Sequence, residues 1–136
     1  MNSERWFAAA TAVVGLQLLG NACFSAYALD AVRNLDAVPN SPFPSAESVA
    51  WAKSLLPALY IAVVEEFLFG AIALVCAVGL FRRSVWARRV LVRASVALAI
   101  VAVLVIALAP GQWDTQGIFI LFCVLLWWCA RKWRTT

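Results

Sequence analysis

Glu65 and Glu66 are adjacent carboxylic acids inside an apolar run, 58–81, that is otherwise free of charge. Two ionised carboxylates side by side in lipid are costly, so such a pair favours uptake of a proton or a cation, or hydrogen bonds between helices. An acid at the centre of a spanning helix costs about 2.5–3.5 kcal/mol on insertion scales, and less toward the interface. Counting back from Phe81 puts the pair 15–16 residues up the helix. That is about 22–24 Å of rise, within roughly 6–8 Å of the far side of a ~30 Å core.

Neighbouring helical residues point about 100° apart, so the two acids serve different faces. Glu66 shares its face with Gly70, Ala73 and Ala77 and is expected inside a bundle. Glu65 shares its face with Phe69, Ile72 and Cys76 and is expected at a helix edge or against a partner. By residue depth, Asn21 reaches the height of Glu66, Gln17 lies one turn deeper on the same face, and Thr115 and Gln116 come close to that level. The expected site is thus a polar cluster of Gln17, Asn21, Glu65, Glu66 and Gln116. It serves either to fix helix register or to bind a ligand from the outer side.

Other chemistries lack their residues. Histidine is absent, which removes imidazole metal sites, the usual haem ligation and histidine-based nucleophile activation. The four cysteines, Cys23, Cys76, Cys123 and Cys129, lie in apolar runs without a Cys-x-x-Cys spacing, so they read as small hydrophobes and not as a disulfide framework. No glycine-rich phosphate loop is present. We expect no catalytic residue, no metal and no cofactor: not an enzyme.

The elements that must hold the carboxyl pair are four apolar segments, at about 6–29, 58–81, 90–109 and 115–130. Each has the length to cross a bilayer as a helix. A 65% hydrophobic and 13% charged composition leaves too little polar surface to cover a soluble globule. Nine of the 11 basic residues fall on one side of these segments: Arg5, the group Arg82, Arg83, Arg88, Arg89 and Arg93, and the tail Arg131, Lys132 and Arg134. The opposite side has only Arg33 and Lys53, against Asp30, Asp36, Glu47 and Asp114. The positive-inside rule then puts both termini in the cytoplasm. Trp6, Trp86, Trp127, Trp128 and Trp133 near one boundary, with Trp51 and Trp113 near the other, fit interfacial belts.

Ala26-Tyr27-Ala28 resembles a signal cleavage site, but the apolar stretch before it exceeds a typical signal core, so the first segment reads as a signal anchor. The outer loop, 30–57, opens with a turn-rich stretch, Pro39-Asn40-Ser41-Pro42-Phe43-Pro44. Ser45 then offers an N-cap to a short interfacial helix over 46–56, with Pro57 redirecting the chain. That helix reads as interfacial packing, with a lid as the alternative. Two small-residue stripes, Gly70-Ala73-Ala77 and Ser95-Ala99-Ala102-Ala109, are candidates for the bundle interior. Arg82, Arg83, Arg88, Arg89 and Arg93 are expected to contact anionic lipid, and nucleic acid is not an expected partner.

The fold expected is all-α: one domain, 1–136, forming an integral membrane bundle of four transmembrane helices with both termini cytoplasmic and a short interfacial helix in the first outer loop. The location expected is a bacterial-type inner membrane, multi-pass. The leading function is a non-enzymatic accessory or interaction subunit, associating with lipids and with itself or another membrane protein. The alternative is a small transporter or channel-like carrier that uses an intramembrane Glu for a proton, cation or hydrophobic cationic substrate. A third reading is a lipid-binding protein gated by the loop helix.

Overall fold

The computed structural model describes residues 3–35 and 45–132, and the Pro39–Pro44 turn stretch expected from sequence lies outside them. Among the described residues five α-helices follow in order: α1 (Ser3–Arg33), α2 (Ala46–Ser54), α3 (Leu56–Phe81), α4 (Val85–Leu108) and α5 (Trp113–Lys132), with a 3-10 turn at Pro110–Gln112 before α5. No strand occurs among the described residues. The helices pack in chain order, α1 on α3, α3 on α4 and α4 on α5, with α1–α3 the most intimate pair.

Three helical stretches are long and apolar enough to cross a membrane, Glu4–Arg33, Ala46–Phe81 and Val85–Leu108, while the apolar part of α5, Gln116–Cys129, is shorter. Bulky apolar side chains such as Phe24, Tyr27, Phe67, Ile100 and Ile118 face outward. The described helices outrun the apolar segments at most ends. α4 begins at Val85 and not near 90, because hydropathy marks the apolar stretch whereas Arg88 and Arg89 are themselves good helix formers. Arg88 and Arg89 therefore sit on a helix with Arg93 and not in a loop before it.

Local chemistry accounts for the breaks. Ser45 caps α2 reciprocally with Ser48, each side chain meeting the other's backbone N–H. α2 stops at Ser54 because Pro57, in the first turn of α3, has no N–H to continue the ladder. The α3–α4 turn is a Schellman motif: Ser84 N–H donates to Gly79 O at 2.9 Å and Arg83 N–H to Leu80 O at 2.9 Å. It demands a left-handed residue, supplied here by Arg83 at φ 54°. Glu4, at the start of α1, pairs with Arg88 and, at 3.8 Å, with Arg83, joining α1 to that turn.

Glycine sets the α1–α3 distance. A Cβ on Gly15 would lie 3.0 Å from Gly70 O, and one on Gly70 would lie 3.1 Å from Gly15 O. The two backbones approach this closely only because both positions lack a side chain. Around this contact runs the buried face of α1: Ala8, Thr11, Gly15, Leu18, Ala22, spaced alternately by three and four. α3 is buried on two faces. Ala62, Glu66, Gly70, Ala73 and Ala77 form one, and Glu65, Cys76 and Leu80 belong to the other. Two apolar clusters fill the centre, one around Cys76, Leu91 and Leu126, the other around Leu18, Leu98 and Phe119. The stripe proposed for α4 is interior at Ser95, Ala102 and Ala109, whereas Ala99 is only half-buried.

Candidate functional site: the carboxyl pair of α3

Glu65 and Glu66 are each 3% exposed. Glu65 is therefore not at a helix edge. Because α3 has neighbours on two sides, the 100° between consecutive residues turns the acids toward different helices. Glu66 faces α1, where Ser25 Oγ donates to its Oε2 at 2.9 Å. Glu65 faces α5, where the side chain of Gln116 lies beside it and Cys123 sits two turns further along the same face.

The two acids differ in how they are satisfied. Among the described residues, neither Oε1 nor Oε2 of Glu65 has a hydrogen-bond partner, and neither does Oε1 of Gln116, although all three atoms are buried. The other buried polar side chains are provided for. Thr11 Oγ1 donates to Phe7 O at 2.9 Å and Ser95 Oγ to Val92 O at 2.8 Å, each within its own helix. A buried polar atom left without a partner costs about 1–3 kcal/mol. Three buried oxygens of Glu65 and Gln116 are thus left without a partner among the described residues, although the Gln116 side chain lies close enough to act on the Glu65 carboxyl. Such a group can accept a proton or coordinate a small cation. Reversal of the Gln116 amide would instead bring an N–H donor to Glu65.

The cluster expected from sequence divides differently. Gln116 joins Glu65, but Gln17 and Asn21 bond to each other, Nε2 to Oδ1 at 3.2 Å, on the outer side of α1. They were paired with Glu66 by height alone, whereas the inward phase of α1 is set by Ala8, Thr11, Gly15, Leu18 and Ala22. Extending that alternation by three residues reaches Ser25, the partner that residue type and depth had not singled out. The signal was available in the small-residue phase of α1. Thr115 lies at the start of α5, and its side chain is outside the described residues.

A cavity of about 340 Å³ adjoins this region at the α2 end, lined by Trp51, Leu55, Ala58, Ala62 and Pro110 among others. Ala62 lies three residues before Glu65 and four before Glu66, so the cavity reaches to within one helical turn of the acids. Trp51 of α2 and Leu55, the residue between α2 and α3, form one wall of it.

At the other end, the five arginines separate by role. Arg82 and Arg83 are exposed at the turn, and Arg88 is half-buried against Glu4. Arg89 and Arg93 are exposed on α4 and form no salt bridge among the described residues. The four cysteines are free thiols, and among the described residues no three of His, Cys, Asp and Glu gather as a metal-binding set. Comparison with protein-family models, curated proteins and solved structures finds no match to this chain.

Proposed function

We propose that this chain is a small multi-pass protein of a bacterial-type inner membrane that carries a proton or small cation through its α3 carboxyl pair. One observation bears most of the weight: both carboxyl oxygens of Glu65, and Oε1 of the neighbouring Gln116, are buried without a hydrogen-bond partner among the described residues. A pair serving register alone needs its acids satisfied, as Glu66 is by Ser25. The placement adopted is four crossings with both termini cytoplasmic, supported by the arginine distribution and by the outward-facing apolar side chains. In that placement the cavity lined by Trp51 and Ala62 lies at the outer end of α3, within one helical turn of the acids. A lone bundle this narrow has little interior for a continuous path, so carriage requires more than one copy or a larger assembly.

The test is reconstitution of the purified chain and its Glu65→Gln and Glu66→Gln variants in vesicles containing a pH-sensitive dye, with H⁺, Na⁺ or K⁺ gradients imposed. Flux above protein-free vesicles, lost in Glu65→Gln at unchanged protein content, supports the carrier. Wild-type flux equal to that of empty vesicles for all three ions refutes it.

The second reading is a non-enzymatic accessory or interaction subunit. The Ser25–Glu66 bond favours it, since that contact does what a register-fixing acid does. A membrane partner that copurifies at fixed stoichiometry, together with loss of protein abundance in the Gln variants, supports that reading.

A further inference from the structure

A groove of about 470 Å³ runs along the outside of the α4–α5 contact, apart from the carboxyl pair. It exists because Ser95 and Ala99 on α4 meet Cys123 on α5. These small side chains leave a trough between the larger Ile100, Val103 and Trp127. Its volume lies within the ~300–1,000 Å³ range of small-molecule sites, and its walls are almost wholly apolar.

The arginine end of the groove is not apolar. Arg93 precedes Val96, Ile100 and Val103 by three, seven and ten residues, which puts it on the same face of α4 as the groove, one turn before its end. Arg89 continues that face by a further turn. Side chains of a helix lean toward its N-terminus, so both guanidiniums lean away from the apolar trough toward the arginine-rich end. Both are exposed and have no carboxylate partner among the described residues, unlike Arg83 and Arg88, which share Glu4. Trp127 flanks the same end from α5, a position at which indole rings favour the headgroup layer.

The geometry points to a binding site for one anionic phospholipid of the cytoplasmic leaflet, an acyl chain lying along Ala99, Ile100 and Cys123 and its phosphate held by Arg93, with Arg89 beside it. The occupant follows from complementarity. A second copy of this chain would need a bulky apolar ridge continuing into acidic residues at the arginine end, and its own acid there, Glu4, is already engaged by Arg83 and Arg88. A phospholipid has the required sequence of tail and charge. This assignment rests on the membrane placement proposed above but not on the carrier role of Glu65.

Native mass spectrometry of the detergent-purified full chain tests it, after exchange into vesicles of phosphatidylglycerol, of phosphatidylcholine, or of both. Flotation of every variant with vesicles is measured separately, so failure of the membrane placement is seen as failure to float. The wild type is expected to retain one phosphatidylglycerol per chain in preference to phosphatidylcholine. Arg93→Gln is expected to lower that preference about fivefold, the effect of one juxtamembrane cation, and Arg93→Lys to keep most of it. Arg5→Gln removes the same charge at the same end of the bundle, off the groove face, and is expected to leave the preference unchanged. Ala99→Phe fills the trough and is expected to abolish retention of either lipid, with circular dichroism checking that it remains helical. Equal retention of the two lipids by the wild type, equal losses in Arg5→Gln and Arg93→Gln, or full retention in a helical Ala99→Phe would each overturn the site. So would a dimer that Ala99→Phe dissociates.

Discussion

Substituting Gly15 by alanine tests how the site is held, because the α1–α3 distance governs whether Ser25 reaches Glu66. A methyl at Gly15 would lie 2.9 Å from Leu74 Cγ and 3.0 Å from Gly70 O. The leucine tip can rotate away, but the carbonyl belongs to the backbone of α3, so the helices must part by a few tenths of an ångström. Overpacking of this kind costs about 1–3 kcal/mol. Alanine also gains about 0.8–1.0 kcal/mol over glycine in helix propensity, which offsets part of the loss. Gly20, on the same helix with nothing within 4 Å of an added Cβ, isolates that gain. Gly15→Ala is therefore expected to be less stable than Gly20→Ala by about 1–3 kcal/mol in reversible unfolding followed by circular dichroism in mixed micelles. Gly70→Ala meets Leu19 Cγ at 2.9 Å and Gly15 O at 3.1 Å, the mirror image of the same contact. One separation relieves both clashes, so the double variant should lose less than the sum of the singles, by about 0.5 kcal/mol or more. Gly15→Ala as stable as Gly20→Ala, or strict additivity with Gly70→Ala, would refute the close-approach argument.

Three further outcomes are expected. Ser25→Ala removes the hydrogen bond to Glu66 Oε2 and should cost about 1–3 kcal/mol in the same unfolding assay, with Ser25→Thr recovering most of it, whereas Gln17→Ala should change stability by less than about 0.5 kcal/mol. Arg83→Gly relieves the left-handed backbone at φ 54° and should stabilise by about 1 kcal/mol, since the exposed pair with Glu4 at 3.8 Å contributes little; an unchanged or lowered midpoint counts against the strain. Gly79→Ala places a Cβ 2.6 Å from Ala87 Cβ, so the α3–α4 contact should lose about 1–3 kcal/mol, while Gly117→Ala, with open space around it, should not destabilise.

Much of the helical layout could be read from the chain. Hydropathy summed along 58–81 locates α3, and Ser45 and Pro57 mark where α2 starts and why it stops, because capping and proline chemistry act over a few residues. The Gly70-Ala73-Ala77 stripe was legible for the same reason: its spacing is a property of one helix. The opposing Gly15 was not, since nothing local to α1 indicates which of its glycines meets α3. Gln17 and Asn21 were drawn toward Glu66 by polarity and height, but the phase of α1 turns them to the outer side. Arg93 was visible as a charge, whereas the groove that begins one turn beyond it needs Ser95, Ala99 and Cys123 brought together from two helices.

What the amino-acid order determined by itself is a set of long apolar helices, a strong asymmetry of positive charge between their ends, and two acids embedded in the second apolar run. These are additive, short-range properties, fixed before any helix meets another. Tertiary structure decided the rest: that α3 is buried on two sides, that Ser25 of α1 donates a hydrogen bond to Glu66, and that Glu65 lies beside Gln116 with its carboxyl oxygens unpartnered among the described residues. Those assignments depend on rotation and register between helices. They are settled by contacts such as Gly15 on Gly70, where the absence of both side chains lets the two backbones approach.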